Sequence, residues 1–188
     1  LAKATTRGKH IITASSEHTS VHAAMNVLEA QGYEVTKVGL LANGLVNMEQ
    51  LKAAIRPETG VISIQHVNSE IGVVQPIKEI AQLARQYGIL MHTDCVQSFC
   101  KLPTQPFARL VDAMTVSAHK VGGPKGCGAI YLNPHLNVRS LTPGVTHERG
   151  LRGGTLDTPA IVAFAAAVAH YTYDASYYDQ LRSFFLAN

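Results

Sequence analysis

The sequence has no apolar run near the roughly 20 residues that would cross a bilayer. Its opening residues, LAKATTRGKH, form neither a signal h-region nor a transit peptide. A soluble, unsorted chain of the cytoplasm is therefore expected, with no membrane partner. Charge is sparse: 15% of the 188 residues, 16 basic against 13 acidic, for a formal balance of +3. The basic residues are scattered rather than gathered, so no nucleic-acid tract is present. Cysteine is scarce and odd in number, at Cys95, Cys100 and Cys127, which in a chain with no export signal argues against a disulfide framework and for a reducing compartment. The spacing Cys-x4-Cys, followed by a cysteine between Gly126 and Gly128, lacks the Cys-x2-Cys pairs of a zinc site. The thiols read as structural, and no metal is called for. Internal repeats and low-complexity segments are also missing.

What is present is 46% hydrophobic residues in a length that suits one domain burying roughly 70% of its unfolded surface. Both ends read as cut from a larger protein. Residues 1–7 look like the last turns of a helix stopped by Gly8, with no start signal before them, and residues 177–186 carry an amphipathic pattern that runs out at Asn188. Between them the punctuation is regular. Residues 10–14 predict a strand; Val21, Ala24, Met25 and Leu28 predict a helix ending at Gly32; residues 33–40 predict a second strand. Asn43-Gly44 marks a turn, and Asn47 caps a helix carrying Met48, Leu51 and Ile55, with Gln50 in the capping-box position. Residues 60–66 are a near-continuous apolar run. Pro76 stands as a first helical residue before a face of Ile77, Ile80, Ala81, Ala84 and Tyr87 that ends at Gly88. Strands follow at residues 89–93, 113–117 and 128–132, then an Ala-rich helix over 158–171 behind Pro159.

Strands and helices alternating at this spacing predict an α/β three-layer sandwich, a mostly parallel sheet covered on both faces. In such sheets ligands bind beyond the carboxyl ends of the strands. Polar residues do gather there: Glu17-His18 after the first strand, His66 to Glu70 after the third, Asp94 to Gln97 after the fourth, and Ser117-Ala118-His119-Lys120 after the fifth. An acid directly after an apolar strand, as Asp94 is, needs a partner or it shifts its pKa and neutralises. A strand-end lysine is usually a surface charge, but Lys120 lies beside His119 and before a Gly-rich turn, which favours an anion site or an imine-forming amine. His18, on the same rim, can stack on a planar ligand.

Three other chemistries fail on spacing. In Gly-Gly-Pro-Lys-Gly the lysine, Lys125, is followed by Gly126, not by the Ser or Thr of a P-loop. His18 and His22 are four apart, but Thr19 stands where a His-Glu-x-x-His metalloprotease has its glutamate. Ser117 lacks the Gly-x-Ser-x-Gly elbow of a serine hydrolase. An imine-forming lysine, a carboxylate for a protonated ring nitrogen, a stacking imidazole, and amide and hydroxyl groups for a phenolate and a phosphate are, by contrast, the set that pyridoxal 5'-phosphate requires.

The same residues resemble a known family. Glu17-His18, His66-Val67-Asn68-Ser69-Glu70-Ile71-Gly72, His92-Thr93-Asp94-Cys95-Val96-Gln97-Ser98, Ser117-Ala118-His119-Lys120 with Gly123-Pro124-Lys125-Gly126, and His147-Glu148-Arg149-Gly150 through Gly154-Thr155 are similar to the motif series of the NifS and IscS type cysteine desulfurases. These are class V members of the fold-type I pyridoxal phosphate enzymes. The resemblance implies that residues 1–188 form most of a large cofactor-binding domain. It implies that His18 stacks on the ring and shares in proton transfer, that Asn68 and Gln97 face the ring hydroxyl, and that Asp94 pairs with the ring nitrogen. Ser117 and His119 would hold phosphate, Lys120 would carry the cofactor, and Thr155 would reach the phosphate of the other subunit of a homodimer. The implied reaction converts L-cysteine to L-alanine and passes sulfur to acceptor or scaffold proteins of iron-sulfur cluster or thiocofactor assembly.

Two departures qualify this. Val145 and Thr146 stand where the family has glycines before His-Glu-Arg. The family's small domain, with its substrate-binding arginine and its loop bearing the reactive cysteine, would follow Asn188, so the chain alone is expected to be inactive. A selenocysteine lyase of the same family and a non-catalytic scaffold are the alternative readings, the second disfavoured by the joint presence of Asp94, Gln97, His119 and Lys120.

Overall fold

The computed structural model describes residues 1–138, 140, 144 and 146–188; the expectation about Val145 lies outside the described residues. Among the described residues, six strands form one sheet: β1 (His10–Ala14), β2 (Glu34–Val38), β3 (Thr59–Ser63), β4 (Leu90–Asp94), β5 (Ala113–Ser117) and β6 (Gly128–Leu132), in the order β2-β1-β3-β4-β5-β6. All neighbours are parallel except β5 and β6. The helices are α1 (Thr19–Ala30), α2 (Met48–Ala54), α3 (Ile77–Gln86), the short α4 (Gln105–Ala108) and α5 (His147–Gly150), then α6 (Thr158–His170) and α7 (Ala175–Ala187). The predicted fold class, a mostly parallel sheet with flanking helices, is the observed one.

Alternation along the strands sorts the core onto two faces, because successive side chains point to opposite sides. Ile12 and Ala14 of β1, Ile62 of β3 and Met91 of β4 pack with Leu51 of α2, with Ile77, Ile80, Ala81 and Ala84 of α3, and with Phe107 of α4. Each of the isoleucine, leucine, methionine and phenylalanine side chains there, fully buried, stabilises the fold by about 1.5–3 kcal/mol. Ile11, Val61 and Leu90 turn to the other face, where Val21, Met25 and Leu28 of α1 and the N-terminal Leu1 and Ala2 cover them. That layer is thinner than expected, and a groove of about 940 Å³ runs between α1, residues 1–4 and the sheet.

Local signals explain most element ends. Asn47 Oδ1 accepts from the amides of Glu49 and Gln50, and Gly32 and Gly88 take up the left-handed φ of 81° and 64° that stops α1 and α3. Four expectations need correction. Residues 1–7 are not the end of a helix: Thr5 N–H bonds back to Leu1 O, but Thr5 Oγ1 then accepts from Arg7 N–H at 3.2 Å, an alternative to the helical ladder. Gln50 does not close a capping box, since its Oε1 accepts from Gly39 N–H at 2.9 Å and ties α2 to the chain after β2. Tyr87 caps α3 at its carboxyl end and is 47% exposed, outside the buried face. The C-terminal pattern does form α7, yet no residue of that helix is buried.

Candidate functional site

Because β1, β3, β4 and β5 are parallel and adjacent, the chain leaves all four at one edge of the sheet. His18, Ser20, Gln65, Val67, Ser69, Asp94, Val96, Gln97, Ser117, His119 and Lys120 line a cavity of about 350 Å³ there. The volume suits a small-molecule ligand. The larger groove adjoins it at Ser20, Asp94 and Val96 but is mostly apolar; the convergence of acid, bases and amine marks the smaller cavity as the reactive one.

His18 is the N-cap of α1, and its Nδ1 accepts from Ser20 N–H at 3.2 Å and meets Ser20 Oγ at 2.8 Å. An Nδ1 that accepts leaves the neutral ring's proton on Nε2. Asp94 ends β4, half-buried, with Oδ1 accepting from Val96 N–H at 2.8 Å. Desolvation pushes its carboxyl above the usual aspartate range, against the opposing pull of that hydrogen bond and of His18. Asp94 makes no ion pair among the described residues, so it is an acid short of a cation. After β5 the chain makes one 3₁₀ turn (Ala118–Val121), closed by Gly122 at φ 79°. This turn sets Lys120 into the cavity and brings His119 Nδ1 to within 2.7 Å of Ser117 Oγ. Gly123 keeps this turn close, because a Cβ there would lie a tight 3.0 Å from Ala118 O.

Six of the eight predicted site residues therefore share one cavity: His18, Asp94, Gln97, Ser117, His119 and Lys120. Asn68 does not line it, although its neighbours Val67 and Ser69 do. Its Nδ2 donates to Ser16 O at 3.0 Å, and its Oδ1 accepts from the amides of Glu70 and Ile71, which commits most of the side chain to the loop. Thr155 is exposed, in the segment before α6. Two contributors were missed, Ser20 and Gln65. Ser20 two residues after a capping histidine, and a lone Gln inside the apolar run 60–66, were the available signals.

The cavity brings an amine, Lys120, and a carboxylate, Asp94, into one lining, with the hydroxyl and imidazole of Ser117 and His119 at the β5 end. No cysteine lines it. Cys95 is 1% exposed beneath the sheet edge, and desolvation pushes its thiol up to about 11. Cys100 and Cys127 are half-buried against Ala118, Val121 and Phe164.

These features define an α/β domain with a candidate small-molecule site at the carboxyl edge of the sheet. Residues 1–180 match the aminotransferase class-V family, and the chain belongs to it. It is 45% identical over 187 residues to cysteine desulfurase IscS of Neisseria meningitidis serogroup C (strain 053442), covering 96% of this chain and 46% of that protein. Among solved structures it superposes on SspA in complex with cysteine with a TM-score of 0.82 at 42% identity, covering 90% of this chain and 49% of that one. A NifS-like protein follows with a TM-score of 0.81 at 35% identity, over 87% of this chain and 45% of that one. The chain thus spans about half the length of the curated relatives it matches.

Proposed function

We propose that this chain is the cofactor-binding part of a pyridoxal 5'-phosphate-dependent cysteine desulfurase that works on L-cysteine as a homodimer. The observation that carries the reading is that Asp94, Lys120 and His18 line one cavity. Asp94 lacks a cation, and a protonated ring nitrogen is one; Lys120 supplies the amine, and Ser117 and His119 supply donors for a phosphate. The residues fit the group. Bound there, pyridoxal phosphate supplies an electron sink conjugated to the alpha carbon of the amino acid.

The side chains do the rest. Asp94 keeps the ring-nitrogen proton in place through a charge-assisted hydrogen bond, stronger in a desolvated site than in water. Lys120 Nζ would be the base that takes the alpha-carbon proton and would hold it for return to carbon as alanine forms. His18, its Nδ1 accepting from Ser20 N–H, would stack on the ring and present Nε2 for proton transfer beside it. Asn68 and Gln97 are assigned to the ring hydroxyl, Asn68 through the one amide hydrogen that its loop bonds leave over. Thr155, exposed as it is, is assigned to the phosphate of the second subunit. L-Cysteine as substrate is supported by the cysteine bound to the similar SspA. Sulfur transfer needs an accessible thiolate of lowered pKa, and burial moves Cys95 and Cys100 the wrong way. The sulfur-accepting thiol is therefore assigned to another part of a family-length protein, with iron-sulfur or thiocofactor acceptor proteins beyond it in the cytoplasm.

The test is reductive trapping. Borohydride treatment in the presence of pyridoxal phosphate should leave a stable pyridoxyl label on Lys120, located by peptide mass mapping. A label on another lysine, or none on a folded sample, sinks the assignment.

A further inference from the structure

Glu17 is a carboxyl group that the proposed reaction does not use. It lies between Ser16 and His18, is 6% exposed, and does not line the cavity. Its Oε1 accepts from Gln65 N–H at 2.8 Å, and its Oε2 is buried without a hydrogen-bond partner. The bond is one strand of a wider stitch. Gln65 Nε2 donates to Ser16 O and lies 3.2 Å from Ser16 Oγ, and Asn68 Nδ2 donates to the same Ser16 O. The chain leaving β1, which carries His18, is thereby fastened to the chain leaving β3, which carries Asn68.

We propose that Glu17 is a positioning residue: as a neutral acid, its carboxyl group holds the ends of β1 and β3 together and leaves Asp94 the one carboxylate at the cavity among the described residues. The groups around it favour that form. From β4, Asp94 faces Glu17 and its charge opposes a second one; from the chain after β3, the Gln65 amide is the one donor that favours ionisation. His66, next to Gln65, packs its ring against Phe107 instead. Glu17 forms no ion pair with a lysine or arginine among the described residues. Desolvation dominates and pushes the carboxyl up to about 8. The role in positioning rests on the pyridoxal phosphate reading, whereas the protonation state stands without it.

The experiment has two arms. In a pH titration of the unloaded chain followed by infrared absorption, a protonated-acid carbonyl band should persist at neutral pH, vanish as pH passes about 8, and be missing from Glu17→Gln. No such band in the wild type at neutral pH, or one that survives the substitution, overturns the proposal. Should the variant not fold, carbon-13 shifts of labelled glutamate carboxyls in the wild type decide: one resonance titrating near 8 supports it, and all titrating in the ordinary glutamate range overturn it. In the second arm, Glu17→Gln keeps the affinity for pyridoxal phosphate, while Glu17→Ala, which strands the Gln65 amide, lowers it about tenfold or more. Equal affinity in Glu17→Ala and the wild type overturns the positioning role. A wild type that binds no pyridoxal phosphate would sink the cofactor reading instead, and the titration would then decide the state of Glu17 by itself.

Discussion

On one face of the sheet Ile12, Ile62 and Met91 are sealed under α2, α3 and α4, whereas on the other Ile11, Val61 and Leu90 pack with α1, Tyr33 and the first residues of the chain. The open face also carries polar groups where the sealed one carries aliphatics. Ser63 Oγ, His92 Nδ1 and Nε2, and Thr115 Oγ1 form a ladder across β3, β4 and β5, at 2.8 and 3.3 Å. Desolvation holds His92 down to about 4, so this ladder is uncharged at neutral pH. Alternation by two places Asp94 on the face of His92, where the groove meets the reactive cavity. One face supplies packing, and the other leaves an acid accessible at its edge. A carboxylate could not hold a charge under the aliphatic layer without a partner.

The largest effect that would break this division is on chemistry. Asp94→Asn in a family-length enzyme keeps the acceptor for Val96 N–H but loses the charge opposite the ring nitrogen. Leaving that partner unpaired is worth about 3–5 kcal/mol, roughly a hundredfold to a few thousandfold slower alpha-proton loss. Single-turnover kinetics checks it, and near wild-type rates would show that Asp94 does not hold the proton.

Next comes a pH effect on stability. Glu17 has its folded pKa raised from 4.5 to about 8, so the folded chain keeps a proton that the unfolded chain has given up. Its stabilising contribution is complete below pH 4.5 and is lost as pH rises towards 8, by at most about 5 kcal/mol. Asp94 is raised as well and acts in the same direction. Urea midpoints measured across this window should fall for the wild type and fall less for Glu17→Gln; parallel curves would mean that Glu17 ionises freely in the fold.

Packing sharpens the comparison further. Leu51→Ala empties a fully buried position on the sealed face and should cost about 2–5 kcal/mol, against about 1 kcal/mol for Leu28→Ala beside the groove. Equal losses in chemical denaturation would mean that the two faces are packed alike. The smallest effect is Asn47→Ala, which removes the cap of α2 from the sealed face and should cost about 1 kcal/mol by the same measurement.

Much of the architecture was legible in the residues. The six strands, α1, α2, α3 and α6 follow from periodicity and from Asn, Pro and Gly at their ends, each a signal acting within a few residues. The site was legible for a related reason: in a mostly parallel sheet, polar residues directly after apolar strands have one edge to occupy. Short-range reasoning failed where distant atoms intervened. Gln50 satisfied its own helix's capping pattern yet bonded Gly39, and residues 1–7 had a helical composition but a threonine that took up the Arg7 amide.

The sequence by itself determined which groups the edge would carry and in what chain order, because strand length, turn residues and side-chain chemistry are local properties. Only the tertiary structure decided that β1, β3, β4 and β5 stand side by side with β6 reversed, and so which of those groups meet. It also decided that Glu17 is shut away while Asp94, in the same edge, remains open to a ligand. Both are carboxyl groups at a strand's carboxyl end, Asp94 closing β4 and Glu17 three residues beyond β1, and the apolar run before Asp94 would point to the wrong one as the more buried. Desolvation separates them, and it is set by how completely chain from elsewhere in the fold covers each one.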